Sequence, residues 1–264
     1  MYLEYWELNR YPFENVPDPH FMFYSTEHKE ALVRMTYVIK RMKGAALITG
    51  EVGSGKTTLS RVLIQHLPDD EFDIGLITNP SLTPIDFLKE ALNELGLEAP
   101  SDSKSQILSV FNEKLMENMR GGKNTILIID EAQIIPLETF EEIRLLLNFQ
   151  LNDRFLLTML LVGQPELADI IRKLKQLDQR IAIRYHINPL NEEETRQYIT
   201  FRLEKAGRKT PIFNDGAVET IFHYSEGIPR KINSICDLAL LMGFSVRARE
   251  IDKTMIEKVV EDSL

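Results

Sequence analysis

Residues 47–67, LITGEVGSGKTTLSRVLIQHL, admit few folds. Ala45 to Ile48 are apolar or small, a glycine-rich turn follows, and Thr57, Leu59, Val62, Leu63 and Leu67 then recur at helical spacing. The stretch predicts strand, loop, helix. Gly50, Glu51, Val52, Gly53, Ser54, Gly55, Lys56 and Thr57 match G-x-x-x-x-G-K-[ST], and Thr58 extends the candidate set into the helix. In such a loop, backbone N–H groups wrap an anionic phosphate at the positive end of the helix dipole. Lys56 is expected to bridge the β- and γ-phosphates of ATP, and the Thr57 hydroxyl to hold Mg²⁺. The competing reading is a glycine-rich turn with a solvated lysine; the strand-to-helix junction and a partner motif downstream weigh against it.

That partner is NTILIIDEAQ, residues 124–133. Four apolar residues, Ile126 to Ile129, end in Asp130-Glu131, as expected when a strand buried on both faces delivers acids at its C-terminal edge. Asp130 is then the second Mg²⁺ residue and Glu131 the group that polarises an attacking water. An Asp-Glu pair also begins helices well, so the assignment rests on its pairing with the phosphate loop. Water as acceptor means ATP hydrolysis rather than phosphorylation of a small molecule.

The remaining pattern predicts an α/β fold. Residues 72–78 read as a strand, and Thr83-Pro84 opens a helix. A second helix stops at Gly121-Gly122, and a third covers LETFEEIRLLLNFQL. The next strand ends at Gln164, a candidate contact to the γ-phosphate or the water, and the last strand is 184–190. Beyond Pro189 four helices follow without a strand, the first opened by Asn191 with Glu194 three residues on. The expected division is therefore 1–190 for the ATPase α/β domain with its arm and 191–264 for a helical lid.

Charge narrows the partners. The chain carries 31 Lys and Arg against 40 Asp and Glu, a net −9, which argues against a general nucleic-acid coat. Locally, KRMK (40–43) and the stretch 172–184 are the two basic candidates. The second carries Arg172, Lys173, Lys175, Arg180 and Arg184 against Asp178 alone, and one arginine placed there could project onto a neighbouring subunit's nucleotide, the competing reading being a solvated helix end. Arg230, in EGIPRKIN, opens a lid helix and could reach the γ-phosphate. One cysteine, Cys236, excludes an internal disulfide. The longest apolar runs are about half of the roughly 20 residues a spanning helix needs, and the start shows no secretory h-region. The expectation is a soluble, cytoplasmic protein, reaching the inner membrane at most through a partner.

YPFENVPDPHFMFYSTEHKEAL, LITGEVGSGKTTL, LIIDEAQ, LLVGQPEL, LDQRIAIRYHINPL and GIPRKIN together resemble the AAA+ ATPase domain of the general secretion pathway protein A (ExeA) family over nearly the whole chain. The resemblance implies a five-stranded parallel sheet with a helical lid, ring-like self-assembly as a hexamer, and a type II secretion or envelope protein as partner. It makes Lys56 and Thr57 Walker A, Asp130 and Glu131 Walker B, Gln164 sensor 1, Arg180 the arginine finger with Arg184 in reserve, and Arg230 sensor 2. Family members continue into a membrane span and a peptidoglycan-binding region; nothing of that kind follows Leu264, which leaves the partner open. Two other function classes stand beside a remodelling motor. One is a DNA-bound regulator like the TniB transposition ATPases; the other is a slow-turnover nucleotide switch. Eight of the chain's 22 aromatics fall in its first 24 residues. That arm either lines the adenine pocket, with Phe21 and His28 as candidates, or staples itself onto the core.

Overall fold

The computed structural model describes residues 2–263. Five parallel strands form one sheet: β1 (Ala45–Gly50), β2 (Phe72–Ile77), β3 (Asn124–Ile129), β4 (Leu157–Gly163) and β5 (Ile181–Ile187). Their order is β2-β3-β4-β1-β5. Every residue of β1 and β4 is buried, as the unbroken apolar runs require of strands covered on both faces. In β5 the alternation IAIRYHI leaves Ala182, Arg184 and His186 exposed, the signature of an edge strand. This strand starts three residues earlier than the sequence predicts, because Ile181 pairs with Ala45. Arg184 therefore sits on a strand and not at a helix end.

The helices of the sheet-bearing half are α1 (Thr26–Lys40), α2 (Lys56–His66), α3 (Pro84–Glu94), α4 (Lys104–Arg120), α5 (Phe140–Leu146), α6 (Glu166–Lys173) and α7 (Lys175–Asp178). The α3 opening is as expected, with the Thr83 hydroxyl accepting from the Asp86 N–H and Pro84 at the first position. Helix α5 is shorter than its pattern: a 3₁₀ turn occupies Ala132–Ile134, and past Leu146 the chain turns back through an antiparallel bridge between Gln150 and Phe155.

Chain contacts divide the protein into two units. One holds residues 27–50 and 59–187, with the sheet and a core that includes Leu127, Ile129, Phe87, Phe111 and Phe140. The other gathers residues 2–26, 51–58 and 188–263. Its helices are α8 (Glu192–Lys205), α9 (Asp215–Ser225), α10 (Pro229–Ser245) and α11 (Lys253–Ser263). A capping box joins Asn191 and Glu194 at the start of α8. Gly227, at φ +73°, precedes α10 and lies so close to the Leu190 carbonyl that an added Cβ would come within 1.8 Å of it.

The aromatic arm is stapled into this helical unit, although the sequence division places it with the sheet. Trp6 is 2% exposed among Leu203, Ile221, Ile232 and Leu240, and its Nε1 donates to the Leu240 carbonyl at 2.9 Å. Arg202 is buried, donates to the carbonyls of Pro12 and Glu14, and lies 4.6 Å from the Phe21 ring centroid. Truncating a tryptophan so placed costs about 3–5 kcal/mol, a large part of the roughly 5–15 kcal/mol that holds a domain together. The arm is thus part of a core.

Cys236 is fully buried in the same core, and burial pushes its thiol well above the usual range. The native protein should therefore resist Ellman's reagent and yield one equivalent of thiol only on unfolding. Rapid labelling of the native protein would contradict this packing.

Candidate functional site

The phosphate loop is held ready by bonds within its own unit. The Ser54 N–H donates to the Glu51 carbonyl at 3.1 Å, and the Lys56 Nζ donates to the same carbonyl at 2.8 Å. Lys56 and Ser54 are buried, whereas Glu51 and Val52 are exposed. Gly53 takes φ +83°, and a Cβ there would lie 2.3 Å from the Cβ of Arg230. The Arg230 N–H donates to the Gly53 carbonyl at 3.2 Å. The first turn of α10 therefore rests directly on the loop, with the Arg230 side chain exposed. Thr57 and Thr58 follow Lys56 in the first turn of α2.

The sheet brings the other candidates to one edge. Ile129 pairs with Leu161, and Thr49 with Gly163, so Asp130, Gln164 and Gly50 all stand at the C-terminal ends of neighbouring strands. Asp130 is 3% exposed and accepts from the Glu131 N–H at 2.9 Å. Glu131 adopts φ +52°, a left-handed conformation that costs a non-glycine residue of order 1 kcal/mol and collects at working sites. Its Oε2 accepts from Gln133 Nε2 at 2.6 Å, while Gln133 Oε1 accepts from the Gln164 N–H at 3.0 Å. One side-chain amide thus spans from the acid to the end of β4. Gln133 does not stand out in the sequence, since only the 3₁₀ turn at 132–134 swings it toward Gln164.

The two candidate arginines differ in what neutralises them. Arg184 is exposed and paired with Asp178 at 2.6 Å. Arg180 donates to the Leu147 carbonyl at 2.9 Å and to the Asn148 side chain, both uncharged acceptors that fix the guanidinium and leave its charge uncompensated. Arg180 and Lys43 belong to the opposite edge of the sheet from Gly50, because Arg180 precedes β5 and Lys43 precedes β1. Six residues of β1 separate these edges by roughly 20 Å.

Of the adenine candidates, Phe21 is buried under Arg202 and His28 is buried in α1. Among the described residues, no group of three or more His, Cys, Asp or Glu could hold a metal alone. The Thr57 hydroxyl and the Asp130 carboxylate are hard oxygen donors, the set that suits Mg²⁺ when substrate phosphates complete its shell. Among the same residues, no helix is long and apolar enough to cross a membrane.

A family profile described as AAA domain matches residues 39–171. General secretion pathway protein A of Aeromonas hydrophila is 40% identical over 254 residues, which are 95% of this chain and 46% of that protein. The chain spans about half the length of the curated relatives it matches. Among solved structures, the Aeropyrum pernix ORC1 protein in complex with DNA superposes with a TM-score of 0.69 at 14% identity, covering 96% of this chain and 69% of that one. Cdc6p from Pyrobaculum aerophilum gives 0.68 at 15%, covering 94% and 72%. At such identities these structures establish the shared fold.

Gly53→Ala should keep the chain folded but weaken nucleotide binding roughly ten- to hundredfold, since the added methyl and positive φ together force the loop off Arg230. Titration with a fluorescent ATP analogue measures this; wild-type affinity would show that the loop does not need the close approach.

Proposed function

Because this chain belongs to the AAA domain family and is related to general secretion pathway protein A, we propose that it hydrolyses ATP with Mg²⁺ and couples that cycle to self-assembly and to remodelling of a secretion or envelope machine at the inner membrane. The observation that supports hydrolysis is the bridge from Glu131 through Gln133 to Gln164, which ties the carboxylate to the end of β4.

In this reading the loop from Gly50 to Thr58 binds the phosphates through its N–H groups, and Lys56 pairs with their charge. Mg²⁺ held by Thr57 and Asp130 would neutralise charge on the β- and γ-phosphates. Glu131 takes the proton of the attacking water, and Gln133 is a positioning residue that holds it in line. Gln164 reads the γ-phosphate or the water. Arg230 reports that state to α10, to which the loop is hydrogen-bonded. Arg180 lies at the far edge of the sheet from the end of β1, so its uncompensated charge serves the nucleotide of a second copy. Arg184, already paired with Asp178, is less suited to that task. The ring is proposed as a hexamer.

Four outcomes test the assignment. Lys56→Ala should lose ATP binding, whereas Glu131→Gln should bind ATP and stop hydrolysing. Gln133→Ala should lower kcat about tenfold with ATP affinity intact. Arg180→Ala should bind ATP yet turn over about 10³-fold more slowly, and mixing it with Lys56→Ala should partly restore activity. Equal ATP affinity in wild type and Lys56→Ala, or undiminished turnover in Glu131→Gln, would overturn the reading. Turnover barely above background in wild type at high concentration would favour a switch.

A further inference from the structure

The two basic stretches at 40–43 and 172–184, more than a hundred residues apart, meet on one face of the α/β unit. Lys43, Arg144 of α5 and Arg180 line a cavity of about 460 Å³ together with Gln176 and Gln179, and no carboxylate belongs to its wall. Through Lys43 it adjoins a second hollow bearing Arg41 and Arg154; through Arg144 it adjoins a third bearing Lys173 and Lys175. Seven cations thus face two acids, Asp153 and Glu141. Outside this tract the chain keeps 24 Lys and Arg against 38 Asp and Glu.

Each cation of the central cavity has bonding capacity to spare. Among the described residues, Arg180 donates to the Leu147 carbonyl and the Asn148 side chain. Glu141 takes the Nε and Nη2 of Arg144, which leaves Nη1. Lys43 is exposed and forms no ion pair with a described residue. Glu141 offsets the charge of Arg144, so Lys43 and Arg180 are the cavity's cations without an acidic partner among the described residues, and a ligand with several closely spaced negative charges would pair with them and with the spare Nη1 of Arg144. The nucleotide of the same chain is out of reach, since Lys43 and Gly50 lie at opposite ends of β1, roughly 20 Å apart.

We infer that Lys43 and Arg144 act with Arg180 as a three-cation receptor for the phosphates of a nucleotide carried by a second copy of this chain, which rests on the trans-acting role of Arg180 proposed above. The strongly acidic remainder of the chain supplies the charge complementarity for that copy's approach. A head-to-tail contact of this kind uses two different surfaces and closes into a ring when its rotation permits.

Lys43→Ala, Arg144→Ala and Arg144→Lys test the receptor, with thermal melting to confirm folding; Lys43, being exposed, keeps the test available if Arg144 variants unfold. Each alanine variant should bind a fluorescent ATP analogue as wild type does and turn over about tenfold more slowly at high protein concentration. Arg144→Lys should retain more activity than Arg144→Ala. Mixing either alanine variant with Lys56→Ala, whose subunits keep both cations, should partly restore turnover. Wild-type turnover in both alanine variants overturns the inference, as does a loss that mixing never relieves, because that loss would arise within the chain. Retained turnover with loss of salt-sensitive binding to a labelled oligonucleotide would overturn it too, and assign the tract to nucleic acid. If instead the mixture of Lys56→Ala and Arg180→Ala stays inactive although mixed oligomers form, the trans role of Arg180 itself falls.

Discussion

A parallel strand covered on both faces can place charged side chains only at its ends. Burying an unpaired carboxylate inside would cost several kcal/mol, so the apolar interiors of β1, β3 and β4 force Asp130, Glu131 and Gln164 to the edge where Gly50 begins the phosphate loop. The same constraint puts Lys43 and Arg180 at the other edge. Gly50 and the cations Lys43 and Arg180 thus stand at opposite edges of the sheet, and chemistry that needed both would call for two chains.

Within its own unit the loop is bound to the helices that follow the sheet. Gly53 offers its carbonyl to Arg230 and leaves no room for a Cβ, so the loop rests on the first turn of α10. Helix α10 shares its core with Trp6 and the arm. Any shift of the loop on binding or hydrolysis therefore acts on a packed body and not on a loose tail. Such a body has a few discrete arrangements, which is what a nucleotide-driven cycle needs.

Motifs built from consecutive residues were legible in the sequence, because their physics is local. The phosphate loop, the Asp-Glu after an apolar run, the Thr83 and Asn191 caps and the strand-free helical region each follow from spacing. Features decided by distant partners were not. The β5 start depends on Ile181 finding Ala45, and the end of α5 on the bridge from Gln150 to Phe155. Gln133 meets its partner only when Gln164 is brought beside it. The aromatic arm announced that it would pack somewhere, but its partners lie some two hundred residues away. The clusters at 40–43 and 172–184 looked like two weak basic patches, and only the fold makes them one.

If Arg180 serves the nucleotide of a second copy, a complete catalytic site needs two copies of this chain. Turnover per subunit measured across a wide range of protein concentration, at saturating ATP and Mg²⁺, tests it most directly. Dilute subunits should bind ATP but hydrolyse it slowly, with specific activity rising toward a plateau as copies meet. Full specific activity in subunits diluted to monomers would contradict it.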